Sequence, residues 1–140
     1  MRCHSGAASC APCWSKARGG PYGGFFLSSA NAFPAQLASV LKDLRHGRMA
    51  EAERCSAAVS AVVADAFVAV AEVRVGNAFT NANKALAHVM AYGPDALRAL
   101  PPRLYAGMHL PRAVLETVAA SLEHHGLLPQ RGYFPEQAPG

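Results

Sequence analysis

The sequence GFFLSSANAFP at residues 24–34 marks the point where this chain changes character. Residues 24–28 are short, aromatic and bounded by glycine, a pattern that predicts one buried β-strand. Asn31 is suited to a helix N-cap, and Pro34 to the first turn of a helix. The stretch therefore predicts a strand that leads directly into a helix starting at Pro34.

Four helices are predicted from this point onward. The first ends at Gly47, because glycine adopts the left-handed conformation that closes many helices. The second runs from about Met49 into the low seventies and is apolar on more than one side, so we expect it to be largely buried. Gly76-Asn77 ends it. The expected inward positions of these two helices are Leu37, Val40, Leu41 and Leu44, then Cys55, Val59, Val62, Val63 and Val70.

The third helix is predicted from near Thr80 to Gly93, and residues 94–100 add a short helical turn before Pro101-Pro102. The last helix begins at Pro111 and stops at Gly126. Apolar residues recur at helical spacing in both helices. The expected inward positions are Phe79, Ala82, Leu86 and Val89, then Val114, Leu115, Val118 and Leu122.

Composition limits the function classes. The chain has 140 residues, 51% of them hydrophobic, and a net charge of +4. Its basic residues are scattered rather than clustered, which argues against nucleic-acid binding. The longest apolar stretch, residues 57–71, is shorter than the roughly 20 residues that cross a bilayer, so no membrane partner is expected. With no export signal, four cysteines indicate reduced thiols and a cytoplasmic protein.

Cys10-Ala11-Pro12-Cys13 is the most distinctive local motif. Two thiols at this spacing can form a reactive disulfide, but the strand–helix context of thioredoxin-like proteins is missing around it. Cys3 and His4 extend the set to four zinc-ligand types. Because neighbouring side chains diverge and no second pair of ligands follows, we expect incidental loop cysteines and neither a metal nor a cofactor.

Two further sets of polar residues lie on the predicted helices. His124-His125 has no third ligand at useful spacing and is interpreted as a solvated pair near a helix end. The set Asn77, Asn81, Lys84 and His88 lies on one face of the third helix. It forms either a ligand-binding surface or, as we expect, the solvated side of an amphipathic helix.

The order of these elements resembles the C-terminal portion of the dihydrodipicolinate synthase and N-acetylneuraminate lyase family. In that family a strand of small residues ends in a Ser/Gly-x-Ala-Asn turn, as at residues 28–31, and a proline opens the eighth barrel helix. The resemblance covers roughly residues 5–135. It continues through the following segments: GRMAEA at 47–52, the Asn77–Lys84–Gly93 helix, PPRL at 101–104 and HGLL at 125–128.

The family fold is a (β/α)8 barrel followed by three helices. The resemblance therefore implies a mainly α chain: residues 1–32 as a remnant of barrel strands seven and eight, 33–128 as the last barrel helix and C-terminal helical domain, and 129–140 as a tail. Ser5-Gly6 is similar to the end of the seventh strand, and Gly19-Gly20 to the step into the eighth. Residues 9–18 depart from the family's amphipathic seventh helix.

The family performs aldol chemistry on pyruvate or another 2-oxo acid through a lysine Schiff base. The resemblance implies that the lysine and the catalytic tyrosine belong to strands preceding Met1, so no catalytic residue is expected in this chain. Lys16, Lys42 and Lys84 have no barrel around them and are not expected to form the imine. Gly6 and Phe26 match positions that border the pyruvate pocket, and packing is the role expected of both.

An inactive lyase portion with homo-oligomeric or self-associating behaviour is therefore the expected function, since the family assembles as tetramers. Two alternatives stay open at this point. One is a stand-alone helical interaction protein, and the other is a thiol-redox or metal module built on Cys10 and Cys13.

Overall fold

The computed structural model describes residues 28–133 as a mainly helical chain. Its four α-helices are α1 (Pro34–Arg45), α2 (Met49–Ala69), α3 (Ala78–Tyr92) and α4 (Arg112–His124). Short 3-10 turns occupy Ser28–Asn31, Gly93–Asp95 and Tyr105–Gly107. No β-strand occurs within this range. The predicted mainly α class is confirmed.

The entry into α1 differs from the prediction. Ser28, the one described residue of the predicted strand, lies in a 3-10 turn, so the strand is wrong at that residue. Asn31 ends this turn and is not the N-cap; Phe33 takes that position without a side-chain cap bond. Phe33 is fully buried, so burial of its ring fixes the start of the helix where a polar cap was expected. The helix start at Pro34 is confirmed.

The chain divides into two compact units, Met1–Ala61 and Val62–Gly140, with the boundary inside α2. In the first unit, Val40 and Leu44 of α1 pack against Ala52 of α2, with Met49 and Cys55 at the edge of this cluster. The predicted α1 stripe is confirmed at Leu37, Val40 and Leu44, while Leu41 is half-buried.

The turn between α1 and α2 is held by its own polar groups. Gly47 has φ +74°, as its predicted left-handed role requires. The Arg48 backbone N–H donates to the Asp43 carbonyl at 2.8 Å, and the Arg48 guanidinium lies 2.7 Å from the Asp43 carboxylate. The chain therefore reverses within three residues and starts α2 at Met49.

The prediction that α2 is largely buried is wrong. Its buried residues form one stripe: Ala52, Ser56, Val59, Val62 and Ala66. Val63 and Cys55 are half-buried, while Phe67 and Val68 are exposed. The alanines around the rest of the helix are small enough to be tolerated in water, so apolar composition overstated the burial.

The second unit is built on the packing of α3 against α4. The predicted inward positions Ala82, Leu86 and Val89 of α3 are buried, as are the four predicted on α4. Phe79 is a correction. Phe79 is 54% exposed, and the centroid of its ring lies 6.4 Å from that of Phe67. Phe67, Val68 and Phe79 are called the aromatic ledge below.

The chain after α4 returns to the end of α3. The backbone N–H groups of Leu127 and Leu128 both donate to the Leu122 carbonyl, at 2.8 and 3.1 Å. Gly132 then lies so close to α3 that a Cβ atom there would collide with the Ala91 carbonyl. Glycine is therefore needed at position 132 for close approach.

Candidate functional site

The polar residues predicted on one face of the third helix are the first candidate site. Asn77, Asn81, Lys84 and His88, here called the polar row, occupy the N-cap and three successive turns of α3. Asn81 and His88 are only 1% and 7% exposed, and Lys84 is half-buried. The expectation that this row is the solvated side of the helix is therefore wrong.

The first half of the row organises the loop that precedes α3. The Asn77 side chain accepts a hydrogen bond from the Thr80 backbone N–H at 2.8 Å, which makes it a helix N-cap. The Asn81 amide donates to the Val75 carbonyl at 2.8 Å. Gly76 allows this contact, because a Cβ atom there would lie 3.0 Å from Asn81 Oδ1.

The second half of the row holds the segment that follows α3. Lys84 Nζ donates to the Arg103 carbonyl at 2.6 Å. His88 Nε2 lies 2.8 Å from the Ala96 carbonyl, so this nitrogen carries the ring proton. The His88 ring also packs on Tyr92 at a centroid distance of 4.8 Å. Each side chain thus satisfies a backbone carbonyl outside the helix.

Taken together, the polar row fastens loops rather than presenting ligand-binding groups. Buried polar atoms are stable only when hydrogen-bonded, and each member of the row has such a partner. The chemistry that it supports is structural. Helical spacing predicts that these residues share a face but not that they are buried, because spacing alone does not reveal which loops return to the helix.

A second candidate lies in the segment that Lys84 fastens. Residues 102–110 form a short antiparallel turn, here called the Tyr105 hairpin. The Leu110 N–H donates to the Pro102 carbonyl, and the Leu104 N–H to the Met108 carbonyl. Arg103 and His109 form the bridge pair between these bonds. Leu104 and Leu110 are buried, while Tyr105 is 81% and Met108 53% exposed.

The tip of the hairpin has an unusual backbone. Ala106 has φ +59° and Gly107 φ +75°. Glycine adopts such values freely, whereas the Cβ atom of alanine is crowded there. The sequence predicts only a break at Pro101-Pro102 here, and it predicts neither the hairpin nor its exposed tip. Tyr105-Ala106-Gly107 gave too weak a turn signal.

One polar contact joins α2 to α4 within the second unit. Ser121 Oγ donates to Asp65 Oδ2 at 2.6 Å, and Ser121 is buried. This pair was not foreseen, because the two residues are 56 positions apart. At the end of α4, the rings of His124 and of the C-cap residue His125 lie edge to face at 4.9 Å.

Cys55 is the free cysteine within the described part of the chain. Its thiol lies 3.7 Å from the Gln36 carbonyl and is half-buried. Burial, and secondarily the negative charge of Asp43, raises the pKa of this thiol above its usual value. Since the thiolate is the nucleophile, Cys55 is placed to be unreactive near neutral pH.

Several sequence candidates lie outside residues 28–133. They are Gly6 and Phe26 at the expected pyruvate pocket, Lys16, and the possible thiol or zinc set Cys3, His4, Cys10 and Cys13. Within the described residues, no group of three or more His, Cys, Asp or Glu side chains is arranged to hold a metal ion. Over the same residues, no helix has the length and apolar character needed to cross a membrane.

Comparison with known proteins gives no relative. No protein-family model, curated protein or solved structure matches this chain.

Proposed function

We propose that this chain is the C-terminal portion of a protein of the dihydrodipicolinate synthase and N-acetylneuraminate lyase family, without the catalytic lysine. The parent activity is aldol cleavage or condensation on a 2-oxo acid, and the chain by itself is inactive. Its role is then to pack as the last barrel helix and the C-terminal helical domain of a cytoplasmic protein.

The observation that carries the proposal is the order of the helix boundaries. A helix runs from Pro34 to Arg45, the chain turns at Gly47, and a long helix follows from Met49. An Asn77-capped helix carries Lys84 and ends at Gly93. A last helix ends just before Gly126. These positions belong to the segments that carry the resemblance. Pro34 starts a helix, Asn77 and Gly93 cap one, and Gly47 and Gly126 each directly follow a C-cap residue.

The surroundings of the described lysines support the inactivity. A Schiff-base enzyme forms its imine efficiently because its lysine is held as a neutral amine in a closed pocket. Lys42 is exposed on α1, and Lys84 Nζ is engaged as a donor to the Arg103 carbonyl. Lys42 is therefore open to solvent and not enclosed, and the Lys84 ammonium is occupied by a backbone carbonyl.

Trapping with borohydride tests the inactivity. The purified chain is incubated with pyruvate and sodium borohydride, and its intact mass is measured beside an active lyase of the family as positive control. Condensation of an amine with the keto group releases water, and reduction of the imine fixes the adduct. We expect adduct on the control protein alone. A lysine adduct on this chain contradicts the proposal.

NMR of the isotope-labelled chain tests the family assignment separately. The resemblance requires residues 24–27 to be extended ahead of the turn at Ser28–Asn31, so their Cα and Cβ chemical shifts should be those of a strand. Helical shifts there would contradict the assignment while leaving the inactivity intact.

A stand-alone helical interaction protein is the second candidate, and one observation favours it. The aromatic ledge leaves three large apolar side chains in water. Such a surface promotes association with other proteins or with a second copy. In the lyase proposal the same surface contributes to self-association, which family tetramers also suggest.

A further inference from the structure

One segment around the Tyr105 hairpin contains basic residues and no acidic ones. Residues 96–115 contain three arginines, Arg98, Arg103 and Arg112, and no aspartate or glutamate. This segment is bordered by Asp95 and Glu116. It includes the whole Tyr105 hairpin.

The structure shows which of these cations lack a carboxylate partner. Arg98 and Arg112, at the two ends of the segment, pair with Asp95 at 3.4 Å and Glu116 at 3.1 Å. In the hairpin between them, Arg103 forms no ion pair with any described residue. The Lys84 ammonium lies at the Arg103 carbonyl and likewise has no carboxylate partner in the described range. Among the described residues, the base of the hairpin therefore carries two cations without a carboxylate partner.

The other end of the hairpin is apolar. Tyr105 and Met108 project from its tip, and Leu100, 74% exposed, lies just before the hairpin in the chain. Two backbone hydrogen bonds between the arms of the hairpin, together with the Lys84 contact, hold the backbone that carries these apolar side chains. The tip is thus presented in a fixed conformation, which lowers the entropy lost when it binds a partner.

We propose that the Tyr105 hairpin is a contact surface for an anionic lipid bilayer. Cations near the surface of such a membrane are attracted to its headgroups, while exposed apolar side chains enter the boundary between the headgroups and the acyl chains. Tyrosine, with an apolar ring and a polar hydroxyl, is enriched at this depth. The hairpin has its cations at the base, where they would meet the headgroups, and its apolar side chains at the tip, where they would reach the acyl chains.

A lipid surface fits these groups better than an acidic protein groove does. A groove needs a complementary shape and several fixed contacts, and the hairpin offers two projecting side chains at its tip. A fluid bilayer makes no such demand. The proposal does not depend on the lyase assignment, since it uses only the hairpin and its charges.

Vesicle co-sedimentation of the purified full chain tests the proposal. The probes are vesicles of mixed phosphatidylglycerol and phosphatidylcholine, and vesicles of phosphatidylcholine alone. We expect binding to the anionic vesicles, weakened about fivefold by Arg103→Gln, since one cation near such a surface contributes about 1 kcal/mol. The double variant Tyr105→Ser/Met108→Ser should lose about tenfold or more through its apolar tip. High salt should release the protein, because it screens the surface potential.

Two matched variants serve as controls. Arg74→Gln removes an exposed cation outside the hairpin, and Val68→Ser removes an exposed apolar side chain from α2; both should bind as the parent chain does. Equal binding to neutral vesicles, or equal losses in the control variants, would overturn the proposal. So would self-association without lipid that Tyr105→Ser abolishes, because a second copy would then be the occupant of the hairpin.

Discussion

At the residue scale, Asn81 shows how much a buried amide contributes to this fold. Its buried side chain ties the loop before α3 to the helix by donating to the Val75 carbonyl. A carboxylate at this position cannot donate this hydrogen bond and would also bury a charge. The amide is therefore required for its donor and not for its size.

We predict that Asn81→Asp destabilises the chain by about 1–3 kcal/mol at neutral pH, the usual cost of an unsatisfied buried polar group. The loss should shrink as the pH falls, because the protonated acid regains a donor. Asn83→Asp is the control, since Asn83 bonds only the Phe79 carbonyl of its own helix and is half-buried. Urea unfolding measures both. Equal losses at the two positions would contradict the role given to Asn81.

The Cys55 thiol gives a second prediction at this scale. Its raised pKa in the folded chain means that less thiolate is present at a given pH than in the unfolded chain. Alkylation by iodoacetamide near pH 8 should therefore be slower for Cys55 in the native chain than in urea. Peptide mass spectrometry measures the rate at Cys55 alone. Faster alkylation of the native chain would contradict the raised pKa that burial and the charge of Asp43 give this thiol.

Residue patterns predicted some of these details and not others. The inward positions of α4 followed from apolar spacing, because a single helix face decides them. The polar row did not follow, since Asn81 and His88 are buried by loops whose course is set by tertiary structure. Asp65 and Ser121 are distant in sequence, and nothing in either local segment indicates the other.

At the element scale, the Tyr105 hairpin is the feature with the most distinctive backbone. We predict that Ala106→Gly stabilises the chain and Gly107→Ala destabilises it, each by up to about 1 kcal/mol. Both positions have positive φ, and a Cβ atom at Gly107 meets no other atom within 4 Å, so backbone conformation alone decides the sign. Thermal unfolding of the two variants checks this. Changes of the same sign would show that the tip is not left-handed.

Lys84 provides an independent test of how the hairpin is held. Lys84→Met keeps the length of the side chain but removes the donor to the Arg103 carbonyl, so the hairpin should open more often. Chymotrypsin cleavage after Tyr105 should then be several-fold faster, as expected for the loss of a hydrogen bond of about 1 kcal/mol. Lys42→Met, exposed on α1, is the control and should leave the cleavage rate unchanged.

Helix boundaries were the most predictable elements. Pro34, Gly47, Asn77, Gly93 and Gly126 all lie at or next to a helix end. The conformational preferences of proline, glycine and asparagine act locally, so the sequence predicts these helix boundaries directly. Burial of α2 was overestimated because its alanines fit both a core and a solvated face. The hairpin was missed because backbone hydrogen bonds, and not a strong turn motif, define it.

At the scale of the whole molecule, the lyase proposal and the exposed aromatic ledge lead to one expectation about assembly. Phe67, Val68 and Phe79 belong to one compact unit, and the rings of Phe67 and Phe79 lie close together. Burying exposed apolar surface is favourable by roughly 25 cal/mol per Å². Phe79 and Val68, each more than half exposed, are the side chains with the most to gain from a partner.

We predict that the purified chain self-associates reversibly, and that Val68→Ser/Phe79→Ser shifts the sedimentation velocity profile toward the monomer. Removing two exposed apolar side chains lowers the driving force for association but leaves the core untouched, so the thermal midpoint should hardly change. Tyr105→Ser/Met108→Ser, which removes two exposed apolar side chains from the hairpin, is the matched control and should leave the profile as it is. A chain that stays monomeric up to high concentration, or a profile that responds only to the hairpin variant, would show that the ledge does not join copies of this protein.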